Sequence, residues 1–347
     1  MARISRRSFL RWIAIQAGAL AGGRVLTACG RPEKQLQAVA PPEKSTLTIP
    51  PDTAAPTPET YASQVPSATP EPTSTPSYPD LAVVRAGEPE PLVRAAIAAL
   101  GGMERFVRPG DDVIIKPNIC VAYHTFEYAA TTNPWVVGAL LKLCWEVGAG
   151  RVRVMDYPFG GTADRAYVQS GIKDQVLAAG GMMETISSFK FVRTEIPEAI
   201  DLRVCDIYDD ILQADVVINV PIAKHHGLAR LTLGMKNLMG VIKDRPAMHR
   251  NLGQRLADLA SRVRPALTVV DAVRILRDNG PTGGNLNDVQ KLDTVIASPD
   301  IVAADSYAAT LFGLRPEQLS YVAAGTAMGL GRSDLDAMKI EEINLSA

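Results

Sequence analysis

Lysine, histidine, asparagine and aspartate side chains follow the ends of several short apolar runs in this sequence. In chain order they are Lys116 and Asn118 after residues 113–115, Asp156 after residues 151–155, Lys224 and His226 after residues 216–220, and Asp271 after residues 267–270. Ammonium and backbone N–H groups bind anions, whereas carboxylates bind a metal ion or accept protons. If these side chains converge, they would form a site for a small anionic or metal-bound ligand.

The apolar runs that precede these residues have the length and composition of buried β-strands. They alternate with segments that have the pattern of helices, which is typical of a sheet covered on both faces. Because parallel strands all end at the same edge of a sheet, the side chains that follow them meet there. The sequence therefore predicts an α/β fold, with a mainly parallel sheet and helices on both faces in a single large domain.

Local signals place several of the other elements. Asn133 and Pro134 combine a capping side chain with a proline in the first turn, so they predict the start of a helix. Residues 252–263 have the pattern of an amphipathic helix, and Asp300 is placed to cap another. Residues 183–206 are more polar and irregular, and we expect them to form a hairpin excursion.

Roles in the predicted crevice follow from the residue types. Lys224 and His226 are the candidates for catalysis, with His226 moving protons. The candidates for ligand binding are Lys116, Asn118, Lys236, Asn237, Asn279 and Gly280. Asp156 and Asp271 are the candidates for holding a metal ion. We expect Lys224 and His226 to be exposed, so their removal should abolish function and cost little stability.

Several of these residues have a purely structural alternative. For Asp156 and Asp271 the alternative is to cap a helix or turn. For the glycines of residues 280–284 the alternative is that they shape a loop and have no contact with a ligand. Adjacent histidines such as His225 and His226 rarely chelate one ion, which disfavours a metal. Lys236 stands among Leu, Met and Gly residues, so it either reaches solvent or acts in the crevice. Its closeness to Lys224 in the sequence favours the crevice.

The N-terminus carries two ordered export motifs. Residues 5–11 read SRRSFLR, which is a twin-arginine signal in nearly full form. Residues 12–28 are only moderately apolar and are interrupted by Gln16 and Arg24, so they do not predict a spanning helix. Leu26, Thr27 and Ala28 precede Cys29 as in a bacterial lipobox. We therefore expect residues 1–28 to be a signal peptide and Cys29 to carry lipid, anchoring the chain outside the plasma membrane.

A proline-rich segment follows the lipidation site. Of the 25 prolines in the chain, 12 lie between Pro32 and Pro79, mixed with Thr, Ser, Ala and Glu. Such a composition removes backbone donors and adds little apolar surface, so it predicts a disordered tether. The expected organisation is thus a signal peptide at residues 1–28, a tether at 29–80 and an α/β domain at 81–347.

Charge and cysteine content exclude several kinds of function. The net charge is −1, and without the arginines of the leader it falls to −6, which disfavours nucleic-acid binding. Besides Cys29, the chain contains Cys120, Cys144 and Cys205. Three thiols are too few for the usual iron–sulfur ligand set, although one disulfide remains open.

The ordered motifs resemble a bacterial and archaeal family called domain of unknown function 362. The motifs that carry the resemblance are Lys116-Pro117-Asn118, Thr132-Asn133-Pro134, Asp156, Asn219-Val220-Pro221 with Lys224-His225-His226, Lys236-Asn237-Leu238-Met239-Gly240, Asp271 with Asn279-Gly280-Pro281, and Ala297-Ser298-Pro299-Asp300 with Ala304-Asp305. The resemblance covers residues 81–312 and implies an α/β domain without naming a reaction. Many members add a ferredoxin-like module with cysteine clusters, and this sequence contains no such cluster.

Two functions remain open at this point. One is an extracytoplasmic enzyme, or cofactor-dependent protein, acting on a small anionic ligand. The other is a lipoprotein that binds a ligand or partner without turnover. The convergence of lysines, a histidine and carboxylates favours the first, and the lack of a nucleophile motif keeps the second open. The expected partners are the twin-arginine export machinery, the membrane and the ligand; the identity of any cofactor stays open, with a metal ion as one candidate.

Overall fold

Apolar runs separated by Gly and Pro residues form most of the strands, and ten of the twelve strands between residues 77 and 346 belong to one central sheet. The computed structural model describes residues 77–346. The strands are β1 Leu81–Arg85, β2 Asp112–Pro117, β3 Arg151–Val154, β4 Met182–Met183, β5 Phe191–Glu195, β6 Val204–Tyr208, β7 Val216–Val220, β8 Ile222–His226, β9 Arg230–Thr232, β10 Leu267–Leu276, β11 Val289–Ser298 and β12 Ile340–Asn344. The helices are α1 Pro89–Ala99, α2 Pro134–Glu146, α3 Ala163–Gln169, α4 Ile172–Ala178, α5 Asp209–Gln213, α6 Gly234–Asn237, α7 Arg245–Met248, α8 Leu252–Val263, α9 Ile301–Thr310 and α10 Ser320–Ala327.

The central sheet has ten strands, and eight of them follow the order β12-β1-β11-β10-β7-β2-β3-β4. Strand β11 is antiparallel to β1 and β10, whereas the other neighbouring pairs along this path are parallel. Strand β8 lies beside β10 in parallel, and β9 pairs with β8 in antiparallel orientation. The predicted α/β fold with a mainly parallel sheet is confirmed.

Helices cover both faces of the sheet, as the sequence predicts. Within β2, Val113 and Ile115 belong to the core that packs against α1, α2, α3 and α4. Ile114, between them, belongs to the opposite core, which is built with α8, α9 and α10. Successive side chains of a strand point to opposite faces, so a strand that is apolar throughout must be buried on both sides.

Two apolar runs of the sequence form longer and differently oriented strands than their length indicates. The run at residues 267–270 lies in β10, which continues to Leu276, and residues 295–297 belong to β11, which runs antiparallel to β10. Residues 222–226, which include Lys224 and His226, form β8. Pro221 ends one strand without ending the sheet, because its carbonyl oxygen still accepts a hydrogen bond from Asp271 N at 2.9 Å.

The polar stretch between β4 and β7 forms a separate small sheet. Strands β5 and β6 pair antiparallel, with Phe191 opposite Tyr208 and Glu195 opposite Val204. The predicted hairpin excursion is confirmed. Helices α2 and α9 begin as predicted, because Asn133 accepts a hydrogen bond from Trp135 N and Asp300 accepts from Val302 N and Ala303 N.

The predicted signal peptide, Cys29 and the tether up to residue 76 lie outside the described residues. Between residues 77 and 346, no helix is both long and apolar enough to cross a membrane. Cys120, Cys144 and Cys205 are buried free thiols, so the disulfide left open by the sequence does not form among these three.

Candidate functional site

A cavity of about 460 Å³ opens where β2, β3 and β8 end. Its walls come from the loops after β2 and β3, from β8, from α6 and α7, and from the loop after β10. The polar and charged side chains that line it are Asn118, Asp156, Lys224, His226, Thr232, Lys236, Asn237, Arg245 and His249. The parallel strands thus deliver side chains more than a hundred residues apart to one place, as strand-end geometry requires.

A buried ion pair forms the floor beneath the cavity. The Lys116 Nζ atom lies 2.7 Å from Asp156 Oδ1, and the two side chains are 0% and 4% exposed. Asp156 Oδ2 accepts a further hydrogen bond from Ile119 N at 2.6 Å. Both charges are therefore compensated within the fold, and Asp156 does not present a free carboxylate to a ligand.

Two asparagines connect this ion pair to a second buried lysine. Lys116 Nζ donates to Asn237 Oδ1 at 3.2 Å, and Asn118 Nδ2 donates to the same oxygen at 2.9 Å. Asn118 Oδ1 in turn accepts from Lys224 Nζ at 3.0 Å. Asn237 Nδ2 also donates to Asn219 Oδ1 at 2.9 Å. The wall of the cavity is thus a connected hydrogen-bond network, which fixes the amide orientations.

Lys224 is fully engaged by the protein. Its side chain is 1% exposed, and Nζ donates to Asn118 Oδ1, to Ala130 O at 2.6 Å and to Pro281 O at 3.0 Å. An ammonium group has three protons, so these acceptors use its whole donor capacity. The expectation of an exposed Lys224 is wrong, and the residue supplies positive charge and holds the walls together.

His226 is also buried, at 8% exposure, and its ring orientation is fixed. The Nδ1 atom accepts hydrogen bonds from Leu228 N at 3.1 Å and from Ala229 N at 3.2 Å. Burial, followed by the charges of Lys236 and Lys224, lowers the pKa of His226 to about 3. The neutral ring therefore carries its proton on Nε2 and acts as a donor. This geometry favours hydrogen-bond donation over the proton transfer predicted from the sequence.

Lys236 differs from the other two lysines. It lines the cavity from α6, and its Nζ atom makes no hydrogen bond or ion pair with any residue between 77 and 346. Burial, reinforced by the charge of Lys224, lowers its pKa to about 8. The sequence left open whether Lys236 reaches solvent or lies in the crevice, and the structure places its half-buried side chain in the cavity lining.

Helix α6, which carries Lys236 and Asn237, is held by a buried aspartate. Asp305 on α9 accepts hydrogen bonds from Gly234 N at 2.5 Å and from Met235 N at 2.9 Å. Burial raises the pKa of Asp305 to about 7, against the lowering effect of these two hydrogen bonds. Asp305 thus positions the two cavity residues without touching the cavity.

The mouth of the cavity combines a guanidinium with exposed apolar side chains. The Arg245 guanidinium carbon lies 4.2 Å from the centre of the Tyr157 ring, and Nη2 donates to Pro158 O at 3.3 Å. Phe159 and Leu228, which also line the cavity, are 70% and 72% exposed. A cation held on an aromatic ring keeps donors free for a ligand, and the apolar rim accommodates a less polar part of that ligand.

Two glycines are required by close approaches in the site. A Cβ atom at Gly240 would overlap Asp156 Oδ1 and crowd Lys116 Nζ. A Cβ atom at Gly280 would overlap the carbonyl oxygen of His225, and Gly280 N donates to His225 Nδ1 at 3.1 Å. Neither position has room for any other residue without moving the network.

A family described as domain of unknown function (DUF362) matches residues 113–310 of the chain. That range contains every residue of the hydrogen-bond network from Lys116 to Pro281. The chain is a member of the DUF362 family.

The chain is 31% identical over 256 residues to a thylakoid-associated protein of Synechocystis sp., covering 69% of this chain and 74% of that protein. The structural likenesses are weaker. The lactate racemase apoprotein from Thermoanaerobacterium thermosaccharolyticum has a TM-score of 0.36 at 10% identity, covering 61% of this chain and 53% of that one. A protein of Thermotoga maritima has a TM-score of 0.40 at 10% identity, covering 65% of this chain and 60% of that one.

The DUF362 fold brings most of the predicted site residues together. Asn118, Asp156, Lys224, His226, Lys236, Asn237 and Gly280 line the cavity, and Lys116 lies directly beneath it. Asn279 does not line it: its side chain is exposed and donates to Asp288 Oδ2 at 2.8 Å.

Asp271 is the other predicted residue that the structure does not bring to the cavity. It lies in the middle of β10, where its Oδ2 atom accepts from Asn133 N at 2.6 Å and its Oδ1 atom accepts from Val273 N at 3.0 Å. Burial raises its pKa to about 6. This is the structural alternative left open by the sequence, since Asp271 anchors the start of α2.

The two predicted metal ligands belong to separate networks, because Asp156 pairs with Lys116 and Asp271 binds backbone N–H groups. Between residues 77 and 346, no group of three or more His, Cys, Asp or Glu side chains is arranged to hold a metal ion. The charged groups that line the cavity are mostly lysine and arginine side chains, so the cavity suits an anion better than a metal cation.

Sequence reasoning missed three residues that shape the cavity. Arg245 does not follow a strand, so the expectation that residues at the ends of parallel strands converge could not place it in the cavity. Its only local signal in the sequence is its position before Pro246 at a helix start. Tyr157 and Phe159 come from the loop after β3 and are recognisable only once that loop is seen to border the cavity.

Proposed function

We propose that the cavity binds a small anionic ligand. The observation that carries this proposal is an unbalanced positive charge among the lining residues. Lys224, Lys236 and Arg245 line the cavity, and Asp156, the single carboxylate among the lining residues, is already paired with Lys116. Cations in a partly enclosed cavity attract an anion more strongly than they would in water.

The residues that line the cavity have different roles in binding the anion. Lys236 contacts the anion, because its ammonium has no competing acceptor between residues 77 and 346. Arg245 adds a second cation at the mouth, and His226 adds a neutral donor through Nε2. Lys224 contributes charge at longer range, since its three protons are committed. The ligand is therefore compact, with its anionic group near Lys236 and Arg245.

Binding without turnover is favoured over general acid–base catalysis by the same contacts. A general base needs a free carboxylate, imidazole nitrogen or amine. Asp156 is paired with Lys116, and the acceptor nitrogen of His226 is occupied by Leu228 N and Ala229 N. We propose that the protein captures its ligand and that any chemistry depends on Lys236.

Replacing Lys236 by methionine should weaken anion binding about 10- to 100-fold. A hydrogen bond to a charged group contributes about 1.5–3 kcal/mol, and 1.4 kcal/mol corresponds to a tenfold change in affinity. Isothermal titration calorimetry with inorganic phosphate, acetate and pyruvate as separate probes measures the effect. Because Lys236 makes no hydrogen bond or ion pair within residues 77–346 and methionine keeps most of its apolar length, the melting temperature should change little.

Lys243 provides the matched control for this measurement. It is an exposed lysine seven positions further along the chain and does not line the cavity. The Lys243→Met variant should bind the probes as the unsubstituted protein does. Equal affinities for Lys236→Met and Lys243→Met would contradict the proposed site, as would the absence of binding of all three probes to the unsubstituted protein.

We propose further that the domain is exported by the twin-arginine route and tethered through lipid on Cys29. The support is the order of the two sequence motifs, SRRSFLR followed by the lipobox at Leu26–Cys29. The Synechocystis relative is described as thylakoid-associated, which is in keeping with residence at a membrane. Each buried methylene of the acyl chains contributes about 0.8 kcal/mol, so a cysteine carrying more than one chain gives stable anchoring.

The Cys29→Ser variant should leave the domain folded and release it from the membrane. The serine hydroxyl cannot replace the thiol that receives the lipid, whereas residues 77–346 are unchanged. Fractionation of the host cells, followed by detection of the domain in soluble and membrane fractions, measures the change. Cys144→Ser is the control for loss of a thiol, and it should stay with the membrane. Membrane-bound Cys29→Ser protein would argue against a lipid tether.

A further inference from the structure

We propose that Lys236 captures its ligand covalently, as an imine with a carbonyl carbon that stands next to a carboxylate. The ligand class is thus a small 2-oxo acid or an aldehydic acid. This inference rests on the proposed anion site and adds a chemical role for one of its residues. The observations that carry it are the placement of Lys236 in the cavity, its lack of acceptors and the donors that surround it.

Three lysines surround the cavity, and only their contacts distinguish them. Lys116 donates to Asp156, Pro117 O and Asn237, and Lys224 donates to Asn118, Ala130 O and Pro281 O. Burial lowers the pKa of both lysines, but these acceptors already surround each nitrogen, so neither is free to contact a ligand. Lys236 has no acceptor among residues 77–346, so its nitrogen is available to a ligand.

The surroundings of Lys236 favour the neutral amine. Burial and the neighbouring charge of Lys224 lower its pKa to about 8, and no carboxylate within residues 77–346 forms an ion pair with it to stabilise the ammonium. A lysine desolvated beside another cation is the arrangement that makes an amine nucleophilic near neutral pH. A useful fraction of Lys236 is therefore unprotonated just above neutrality.

The other donors of the cavity fit the two oxygen-bearing groups of such a ligand. The Arg245 guanidinium is planar and keeps N–H donors free at the mouth of the cavity. It can therefore bind a carboxylate through two parallel hydrogen bonds, in bidentate geometry. The Nε2–H of His226 is a neutral donor suited to a carbonyl oxygen, since its ring is fixed through Nδ1. Phe159 and Leu228 at the rim accommodate the alkyl part.

The step balances without any further reactant. The Lys236 nitrogen lone pair forms a bond to the carbonyl carbon, and the π electrons move to the oxygen, which takes a proton from that nitrogen. The hydroxyl group then leaves as water with the second nitrogen-bound hydrogen, and the C=N bond forms. Two electrons form each new bond and nothing is oxidised or reduced. His226 stabilises the oxygen by a hydrogen bond and does not give up its proton.

Reductive trapping with cyanoborohydride tests directly whether an imine forms on Lys236. The full-length protein is incubated with pyruvate or glyoxylate, reduced with sodium cyanoborohydride, digested and analysed by peptide mass spectrometry. We expect the reduced adduct on the peptide that contains Lys236, in clear excess over the peptide that contains exposed Lys243. The yield should rise as the pH increases toward about 8 and then level, because only the unprotonated amine attacks.

The titratable and charged groups that face Lys236 are Lys224 and His226 on β8, Cys120 after β2 and Arg245 on α7.

Acetate binding by the unsubstituted protein separates this inference from the proposed anion site, because acetate has no ketone or aldehyde carbon that forms an imine. The Lys236→Arg variant should lose the adduct, since arginine keeps the positive charge and cannot form an imine under these conditions. An unsubstituted protein that binds acetate but forms no adduct at Lys236 would overturn the inference and leave the anion site standing. Equal labelling of Lys236 and Lys243 would overturn it as well. Absence of acetate, phosphate and pyruvate binding would remove the anion site, and the inference with it.

Discussion

Replacing Lys116 by methionine should lower the free energy of unfolding by about 3–5 kcal/mol. Lys116 is fully buried and pairs with Asp156, which is itself buried. Methionine fills most of the volume but leaves the Asp156 carboxylate without its counter-charge, and an uncompensated buried charge is costly. It also removes the donor that fixes Asn237, so anion binding should fall together with stability. Urea unfolding followed by circular dichroism measures the change, from the midpoint at an unchanged slope.

An exposed ion pair on the same domain is the control for this prediction. Lys190 pairs with Asp210 at 2.9 Å, and the lysine side chain is 51% exposed. Lys190→Met should cost less than about 1 kcal/mol, as is usual for exposed pairs. In addition, Lys116→Met combined with Asp156→Asn should cost clearly less than the sum of the two single changes. Equal costs for Lys116→Met and Lys190→Met would show that the buried pair does not support the cavity floor.

Local signals in the sequence account for much of the fold. The helix predicted at residues 252–263 has the bounds of α8, because amphipathic periodicity depends only on neighbouring residues. The starts of α2 and α9 were predicted for the same reason, since a capping side chain acts within three residues of itself. Such features need no knowledge of the rest of the chain.

The direction of β11 could not be predicted in this way. An apolar run such as residues 295–297 has the same pattern whether its strand runs parallel or antiparallel to its neighbour. The long pairing of β10 with β11 decides the direction, and it also places Asp271 in the middle of a strand. Residues 222–226 form a strand because β10 extends far enough to pair with them.

The membership of the site could be predicted from the sequence, but the state of each side chain could not. Strand-end geometry brought Asn118, Lys224 and His226 to one cavity. Lys224 nevertheless proved to be committed, because its acceptors lie 57, 94 and 106 positions away in the chain. Lysines 116, 224 and 236 look alike in sequence, and only tertiary contacts separate two structural ammonium groups from one available amine.

Replacing Gly280 by alanine should lower the free energy of unfolding by about 3 kcal/mol, the upper end of typical overpacking costs. The added Cβ would overlap the carbonyl group of His225, which belongs to β8 and has no freedom to rotate away. The loop must therefore shift as a whole. Pro281 O, the next acceptor in that loop, receives a hydrogen bond from Lys224 Nζ at 3.0 Å, so the shift leaves a buried ammonium short of an acceptor.

Gly227→Ala is the matched control, because both glycines line the cavity and nothing lies within 4 Å of the position that a Cβ at Gly227 would take. This variant should change the free energy of unfolding by less than about 0.5 kcal/mol, as is usual for surface substitutions. Calorimetry with phosphate should show weakened binding in Gly280→Ala, since Lys224 supports the wall through Asn118. If Gly280→Ala kept both stability and phosphate affinity, the loop after β10 would have to be adaptable. The network from Asp156 through Lys116 and Asn237 would then hold the cavity without it.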